Sequence, residues 1–330
     1  MAFDNIKLEK GLYATSKGFT ASLEELDPSE NYIGTELEGL DAYQRQLKRF
    51  GIKVSGEKSD SVMKFFNTTD SAALFPEYVS RAVKQGIEES DVLSSIVATT
   101  TVIDSLDYRS VESIPGNDEK ELSEVAEGAF IPQTTVKTKE RLTKLQKRGR
   151  MLVASYEAIK FQKLDLFTVM LKQIGAYIAK SQLNDAVISL IEDEEDFTTT
   201  SETALTYNHF IELWNSLQPY ELSTVIAPSA YIMQMMNMSE FKDSNAGQTF
   251  HGTGKMITPL GAQIVRSEAL PDFVIGLDKR FALEKIQAGD VITEYDKLID
   301  RQLERATITS IAGFSRITNG SVKGIHFEAE

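Results

Sequence analysis

The three histidines are the first candidates for chemistry, because histidine carries protons near neutral pH and is the commonest metal ligand. They are His209, His251 and His326. His209 has an acidic partner at a useful spacing, since Glu212 follows three residues later and would share its face of a helix. No second ligand pair accompanies this H-x-x-E pattern. We therefore interpret His209 as a partly exposed helix residue and expect no metal site.

A glycine-rich segment at 247–255 is the second candidate, for phosphate binding. Gly247 and Gly252 have the G-x-x-x-x-G spacing of a phosphate loop, but Thr253 stands where the motif requires lysine, and Lys255 comes two residues late. The segment also does not lie directly between a strand and a helix. A surface loop explains the glycines, so we expect no nucleotide or other cofactor.

The remaining motifs of catalysis are missing from the sequence. It contains no G-x-S-x-G, no H-E-x-x-H and no dinucleotide fingerprint, and the acidic run at 192–196 lacks the spacing of a calcium loop. With no cysteine, disulfides, thiolate metal sites and a cysteine nucleophile are excluded. We expect no catalytic residue and no enzyme, and this result favours a structural protein.

Composition sets further bounds on the function. The 330 residues allow two domains, or one domain with large excursions, and the 42% hydrophobic content suffices for a core. A net charge of −14 argues against a dedicated nucleic-acid binder. The first ten residues contain no apolar run of the length found in signal peptides, and no stretch approaches 18 consecutive apolar residues. We therefore expect a soluble protein made in the cytoplasm, with no membrane contact.

Two adjacent segments of opposite charge stand out. The acidic arm, 104–127, carries eight carboxylates against two cations, and the basic arm, 137–150, carries seven cations against one carboxylate. On the returning strand one face should carry Phe130, Thr134, Val136, Thr138 and Leu142, and the other face Lys137, Lys139 and Arg141. Such a long, charged excursion has little to bury on its own subunit, so we expect it to contact a neighbouring molecule. The candidate interface residues are Asp118, Glu119, Glu121, Glu124, Lys137, Lys139, Arg141 and Lys144.

Other elements must position this excursion. A helix is predicted from Asp165 to about Ile191, with an apolar stripe of Leu166, Met170, Ile174, Tyr177, Ile178, Leu183, Val187 and Leu190. Near the N-terminus, apolar residues at helical spacing from Leu37 to Phe50 predict a short helix that Gly51 ends. Two alternatives stay open for this region: a helix packed on the main body, or a mobile arm that orders only against a neighbour.

The second half of the chain has the pattern of an α/β lobe. Thr206 is predicted to cap a helix, and the strand 224–227 runs through Pro228 into another helix, 229–238. Strands follow at 261–266 and 273–276, and the end of the chain, 291–317, is strand-rich.

In this order the parts resemble the major capsid proteins of tailed bacteriophages, which have the Hong Kong 97-type fold also found in encapsulin shells. The resemblance covers about residue 70 to the C-terminus. Its motifs are the extended loop leading through Met151-Leu152-Val153 into the long helix, the strand-Pro-helix at 224–229, Phe241-Lys242-Asp243 before the glycine loop, and the segments 260–265 and 270–273. The order and spacing carry the resemblance, since no single motif is diagnostic.

The resemblance implies an α+β fold with five parts. These are an N-terminal arm (1–65), an extended loop (104–150), a spine helix, an axial domain (204–290) and a peripheral domain that includes the spine helix (66–103, 151–203 and 291–330). It also implies pentamers and hexamers that close into an icosahedral shell around double-stranded DNA, which the protein contacts weakly if at all. In some relatives a lysine of the loop is cross-linked to a distant asparagine; Lys137, Lys139 or Lys144 and Asn319 are available here.

The resemblance further implies a place in the virion, with assembly in the host cytoplasm. The first 60 residues are too few for the scaffolding region of some relatives. We expect a separate scaffolding protein, together with a portal and a decoration protein; the alternative is that the first 60 residues are a shortened scaffolding region. Two alternatives stay open. One is an encapsulin-like cellular compartment, which needs an interior pocket for a cargo peptide. The other is a cytoplasmic α/β enzyme with 104–150 as a lid.

Overall fold

The protein forms two compact units in a computed structural model. The model describes residues 2–13, 18–105, 107–113, 124–128, 136–155, 157, 161–191, 197–202, 204–243, 256–289, 291–298 and 303–328. The first unit comprises Met1–Ser90, Arg148–Ile178 and Val291–Ser310, and the second comprises Asp91–Lys147, Ala179–Asp290 and Ile311–Glu330. No helix among the described residues is long and apolar enough to cross a membrane.

Helices dominate the N-terminal part of the chain and recur later between strands. Their bounds are α1 Phe19–Leu26, α2 Ala42–Arg49, α3 Thr69–Ala72, α4 Phe75–Glu89, α5 Leu164–Ser189, α6 Tyr207–Ser216, α7 Ser229–Asn237 and α8 Ser239–Lys242. The helix α5 is the spine helix. It runs within two residues of the predicted bounds, with Asp165 in its first turn.

Strands fill the middle and the end of the chain. Their bounds are β1 Val97–Ile103, β2 Val111–Ser113, β3 Val136–Thr138, β4 Leu145–Ser155, β5 Phe197–Thr200, β6 Thr224–Ala227, β7 Gln263–Arg266, β8 Phe273–Leu277, β9 Leu283–Ala288, β10 Ile292–Leu298, β11 Leu303–Arg316 and β12 Val322–Phe327. With these helices, the α+β class is confirmed.

The N-terminal residues belong to the core of the first unit. Leu23 on α1, Tyr43 and Leu47 on α2, and Ile52 are buried in one apolar cluster with α4 and the first half of the spine helix. The helix α2 begins at Ala42, later than the apolar spacing predicts, because Asp41 and Gln44 form a capping box. Of the two alternatives for this region, the structure favours the packed helix.

A buried ion pair ties this N-terminal region together. The Arg45 and Asp27 side chains are both fully buried, with Arg45 Nε 2.8 Å from Asp27 Oδ2. Tyr32 donates its hydroxyl to the other Asp27 oxygen at 2.6 Å, and the Arg45 guanidinium stacks 4.4 Å from the Tyr32 ring centroid. A buried charge pair of this kind is costly to break, since either charge alone would be left unpaired.

Two glycines let α4 and the spine helix cross with their backbones in contact. A Cβ on Gly86 would lie 2.2 Å from the Lys172 carbonyl oxygen, and one on Gly175 would lie 2.2 Å from the Val83 carbonyl oxygen. No real Cβ atom fits at such a distance from backbone. The crossing therefore decides which face of the spine helix is buried in the first unit.

This crossing corrects part of the predicted stripe on the spine helix. Ile174, Ile178, Leu183, Val187 and Leu190 are buried as predicted, whereas the structure leaves Leu166, Met170 and Tyr177 exposed. The first half of the helix is apolar on nearly every side, so periodicity alone could not identify the buried face. Leu164, Phe167 and Leu171 occupy it instead.

The second unit contains a sheet with strand order β5-β12-β8-β6-β7. Its interior strand β6 is completely buried, and α6 and α7 contribute Phe210, Leu213, Ile232 and Met235 to the core over this sheet. The predicted strand-Pro-helix at 224–229 is confirmed, with Pro228 as the cap residue before α7. The predicted axial domain, 204–290, does not contain the whole of this sheet, because β5 and β12 lie outside it.

The longest described strand, β11, pairs with β4 and also with β10 and β9. In the first unit its N-terminal half pairs antiparallel with β10, with Ile292 opposite Thr309. In the second unit its C-terminal half pairs antiparallel with β9, with Phe314 opposite Lys285, and β9 pairs in parallel with β1. The strand β9 therefore lies between β1 and β11 in the second unit.

We expect Gly175→Ala and Gly86→Ala each to lower the free energy of unfolding by about 1–3 kcal/mol, because the added methyl group meets backbone. In an ordinary helix the same change would stabilise by about 0.5–1 kcal/mol. Urea unfolding of the unassembled subunit measures the difference. Gly11→Ala is the control, since its Cβ meets nothing within 4 Å. Unchanged or raised stability of both helix variants would show that the two backbones are not in contact.

Candidate functional site

The histidine and loop candidates do not form a site in the described part of the chain. The His209 ring is buried; its Nδ1 accepts the Thr206 backbone N–H at 3.0 Å, and its Nε2 lies 3.4 Å from Glu202. Glu212 is exposed. Among the described residues no cluster of three metal-binding side chains exists. The segments 247–255 and 192–196 lie outside the described residues.

The charged hairpin begins as a hydrogen-bonded stalk, formed by 108–113 and 136–143. Its strands β2 and β3 pair antiparallel, with Val111 opposite Thr138. Below them the Lys139 N–H donates to the Ser110 carbonyl oxygen, and the Thr143 N–H donates to the Tyr108 carbonyl oxygen, each at 2.9 Å. The acidic and basic arms are therefore joined by hydrogen bonds over several residues.

A buried carboxylate holds the base of the stalk. Glu284 on β9 is 5% exposed and accepts hydrogen bonds from three hydroxyls: Tyr108 at 2.7 Å, Ser110 and Thr101. Ser110 is completely buried. Burial raises the pKa of Tyr108, and its hydrogen bond to the Glu284 carboxylate raises it further, so the phenol stays a donor. Glu284 thereby connects the start of the acidic arm to the sheet of β1 and β9.

Glu284, Tyr108 and Ser110 were not identified from the sequence. A charged residue at 284 interrupts an apolar run, between Leu283 and Ile286, and this was the available signal. It does not identify the partners, which lie more than 170 residues earlier in the chain.

The start of the basic arm is exposed on its own subunit. Val136, Thr138 and Leu142 are exposed, as is Lys137, so both faces of β3 meet solvent. The strand β3 ends at Thr138 and pairs only with β2 among the described strands. Both faces of β3 are therefore left for contacts elsewhere.

The interface candidates fall into three groups. Asp118, Glu119 and Glu121 lie outside the described residues, and Glu124 is exposed. Lys137, Arg141 and Lys144 are also exposed, whereas Lys139 is half-buried. The structure does not test whether these residues contact another copy.

Several basic-arm candidates line one cleft of about 750 Å³ in the second unit. Its walls are 139–144 and Gln146 of the basic arm, Asp185, Ile188 and Ser189 near the end of the spine helix, and 313–315 of β11. Gly313 permits this arrangement, because a Cβ there would lie 2.8 Å from the Lys144 carbonyl oxygen. We call it the basic cleft, since Lys139, Arg141 and Lys144 line it.

Comparisons with known proteins give a family and a fold. A family model described as phage capsid protein matches residues 138–321, more than half of the chain. The chain is 11% identical to the capsid protein of the native GTA particle, covering 73% of this chain and 90% of that one with a TM-score of 0.53. The cyanophage P-SCSP1u capsid is 10% identical over 73% of this chain and 89% of that one, with a TM-score of 0.51. A virus-like particle from Pyrococcus furiosus is 10% identical over 76% of this chain and 98% of that one, with a TM-score of 0.50. No curated protein sequence matches the chain.

We expect Glu284→Ala to loosen the stalk, because three hydroxyls at its base would lose their shared acceptor. Leaving such donors unsatisfied costs about 1–3 kcal/mol, so amide exchange in 108–113 and 136–143 should accelerate by about tenfold or more. Hydrogen exchange with mass spectrometry on the unassembled subunit measures this. Glu212→Ala, which removes an exposed carboxylate of the same unit, is the matched control. If the two variants exchanged alike in the stalk, Glu284 would have no anchoring role.

Proposed function

This chain belongs to the phage capsid protein family and has the Hong Kong 97-type fold, so it is a major capsid protein, and we propose how its subunits meet. We propose that copies assemble through pentamers and hexamers into an icosahedral shell that encloses double-stranded DNA. Family and fold imply a structural rather than a catalytic role.

The observation that carries this proposal is the exposure of the hairpin. Residues 124–128 and 136–138 are all exposed on the subunit, although they include Val125 and Val136 at 45% and 62% exposure. The stalk itself is anchored through Glu284. An anchored stalk whose described outer residues are exposed on their own subunit is suited to contact another copy.

Opposite charges supply unlike surfaces for that contact. Rings of identical subunits need heterologous contacts, in which one patch meets a different patch of the next copy. In this proposal the acidic residues Asp118, Glu119, Glu121 and Glu124 face the basic residues Lys137, Lys139, Arg141 and Lys144 of a neighbour. Each exposed ion pair contributes only about 0.2–1 kcal/mol, but the contact recurs at every subunit of a shell.

The proposal extends to location and partners. Family membership places the protein in the virion capsid. Assembly would take place in the host cytoplasm with a separate scaffolding protein, a portal and a decoration protein. The net charge of −14 supports weak contact with the packaged DNA, since strong binding needs a basic face.

We expect the purified protein, alone or with its scaffolding protein, to form rings or closed particles. Negative-stain electron microscopy and sedimentation velocity at increasing concentration provide the measurement. Raising the salt concentration should reduce assembly, because exposed ion pairs are screened. A single small oligomer or monomer under all these conditions, scaffold included, would contradict the proposed function.

We expect the triple variant Lys137→Glu, Arg141→Glu and Lys144→Glu to fold but to assemble poorly or into aberrant particles. All three side chains are exposed, so circular dichroism and the unfolding midpoint of the subunit should change little. The matched control is Lys58→Glu, Lys180→Glu and Lys279→Glu, which makes the same change in net charge at other exposed lysines. Normal particles from the first variant, or equal defects in both, would remove the specific electrostatic role of the basic arm.

A further inference from the structure

The strand β1, Val97–Ile103, lies at an edge of its sheet. It pairs in parallel with β9 on one side, and it has no second partner among the described strands. Its side chains are open to solvent, since Ala98, Thr99 and Thr100 are exposed and Val102 is 69% exposed. Successive side chains of a strand point to opposite faces, so three exposed residues in a row mean that both faces of this edge meet solvent.

The sequence of β1 does not protect this edge against another chain. Edge strands usually carry a lysine, a proline or an inward-pointing charge that prevents pairing. Val-Ala-Thr-Thr-Thr-Val-Ile has none of these, and all its residues except Ala98 are β-branched, as strands prefer. A bulge interrupts the pairing with β9 between Val97 and Thr99, but from Thr99 to Ile103 the register is regular. This regular stretch is therefore a template for a further strand.

The direction of the backbone groups decides which residues of β1 can pair outward. The Ile103 carbonyl oxygen accepts a hydrogen bond from the Gly289 N–H at 3.0 Å, so the backbone groups of Ile103 face the β9 side. These groups alternate sides along a regular strand, so those of Thr100 and Val102 point away from β9. Within the described part of the chain, no backbone group outside the β1–β9 ladder bonds to either residue.

A second copy of β1 fits this edge. Two copies laid antiparallel about a two-fold axis at Thr101 would place Thr100 of each opposite Val102 of the other, as hydrogen-bonded pairs. Thr99 would then lie opposite Ile103, so every pairing joins β-branched side chains, which suit cross-strand contact. The strand carries no charge, so two copies of a chain with net charge −14 can meet there without like charges in the contact.

We propose that β1 of one subunit pairs antiparallel with β1 of a second subunit across a two-fold axis, through residues 99–103. The contact is isologous, with the same surface on both copies, and therefore differs from the heterologous contacts that build a ring. The inference rests on the proposed function, because rings must be linked to one another before a shell can close. It assigns that link to the open edge of β1.

Two double variants of the full chain test the pairing. In the like-charged variant, Thr100→Lys and Val102→Lys, each lysine would lie opposite a lysine of the other copy. In the self-complementary variant, Thr100→Lys and Val102→Glu, each lysine would lie opposite a glutamate. We expect the like-charged variant to form rings but to need about tenfold or more higher concentration for closed shells, while the self-complementary variant closes shells like the unaltered protein. Electron microscopy and sedimentation velocity distinguish rings from shells.

Each other result overturns a stated part of the account. Normal shells from the like-charged variant would overturn the contact, and loss of its rings would overturn its place between rings. Equal failure of both variants would overturn the antiparallel register, since only there does each lysine meet a glutamate. Neither rings nor shells from the unaltered protein would contradict the proposed function instead.

The matched control is Thr198→Lys and Thr199→Lys on β5, an exposed edge strand of the same unit. It adds the same charge as the like-charged variant and should leave shells unchanged. An equal defect in this control would overturn the specific role of β1. Circular dichroism of each variant establishes that it is folded, which we expect because the altered side chains are exposed.

A disulfide measures the register directly, because the chain contains no cysteine. Thr100→Cys and Val102→Cys are made as separate forms. Opposite residues of a hydrogen-bonded pair have Cα atoms about 5.5 Å apart, which suits a disulfide. Particles from a 1:1 mixture should therefore give cross-linked dimers on mild oxidation. Particles of either form alone should not, since the two cysteines then lie diagonally and out of reach. No cross-link in the mixture, or equal cross-linking of a single form, would overturn the pairing.

Discussion

The structure depends on how a charged hairpin is fixed at its base. A carboxylate buried in a sheet is expensive unless its oxygens are hydrogen-bonded, and Glu284 meets this requirement with hydroxyls from Thr101, Tyr108 and Ser110. These hydroxyls belong to β1 and to the start of the acidic arm, so satisfying the carboxylate also fixes where the hairpin leaves the sheet. Beyond the stalk, the described residues 124–128 are all exposed.

Glycines determine the other fixed points of the subunit. Gly86 and Gly175 bring α4 and the spine helix into backbone contact, which orients the helix in the first unit. In the second unit Gly313 allows the returning basic arm to lie directly on β11, where it forms a wall of the basic cleft. Both arrangements leave aliphatic residues such as Leu166 and Ile188 exposed on the subunit. A capsid protein has neighbours on several sides, so exposed aliphatic surface is consistent with its family.

The elements that depend on local pattern could be predicted from the sequence. The bounds of the spine helix and the strand-Pro-helix around Pro228 follow from apolar runs, caps and turn residues, and the order of parts led to the correct family. Properties that depend on distant contacts could not be predicted. The buried face of the spine helix is decided by Gly86, and the role of Glu284 by hydroxyls far away in the chain. Periodicity also cannot show whether a strand such as β3 packs against the core of its own subunit.

The central claim is that the hairpin leaves its own subunit from an anchored stalk and ends on a neighbouring copy. A cryo-electron microscopy reconstruction of the assembled particle tests it most directly, because the chain can be traced from Ser113 and Val136 outward. We expect a stalk held at Glu284 as in the subunit, with the hairpin crossing to an adjacent copy. A hairpin folded back onto its own subunit would contradict this claim.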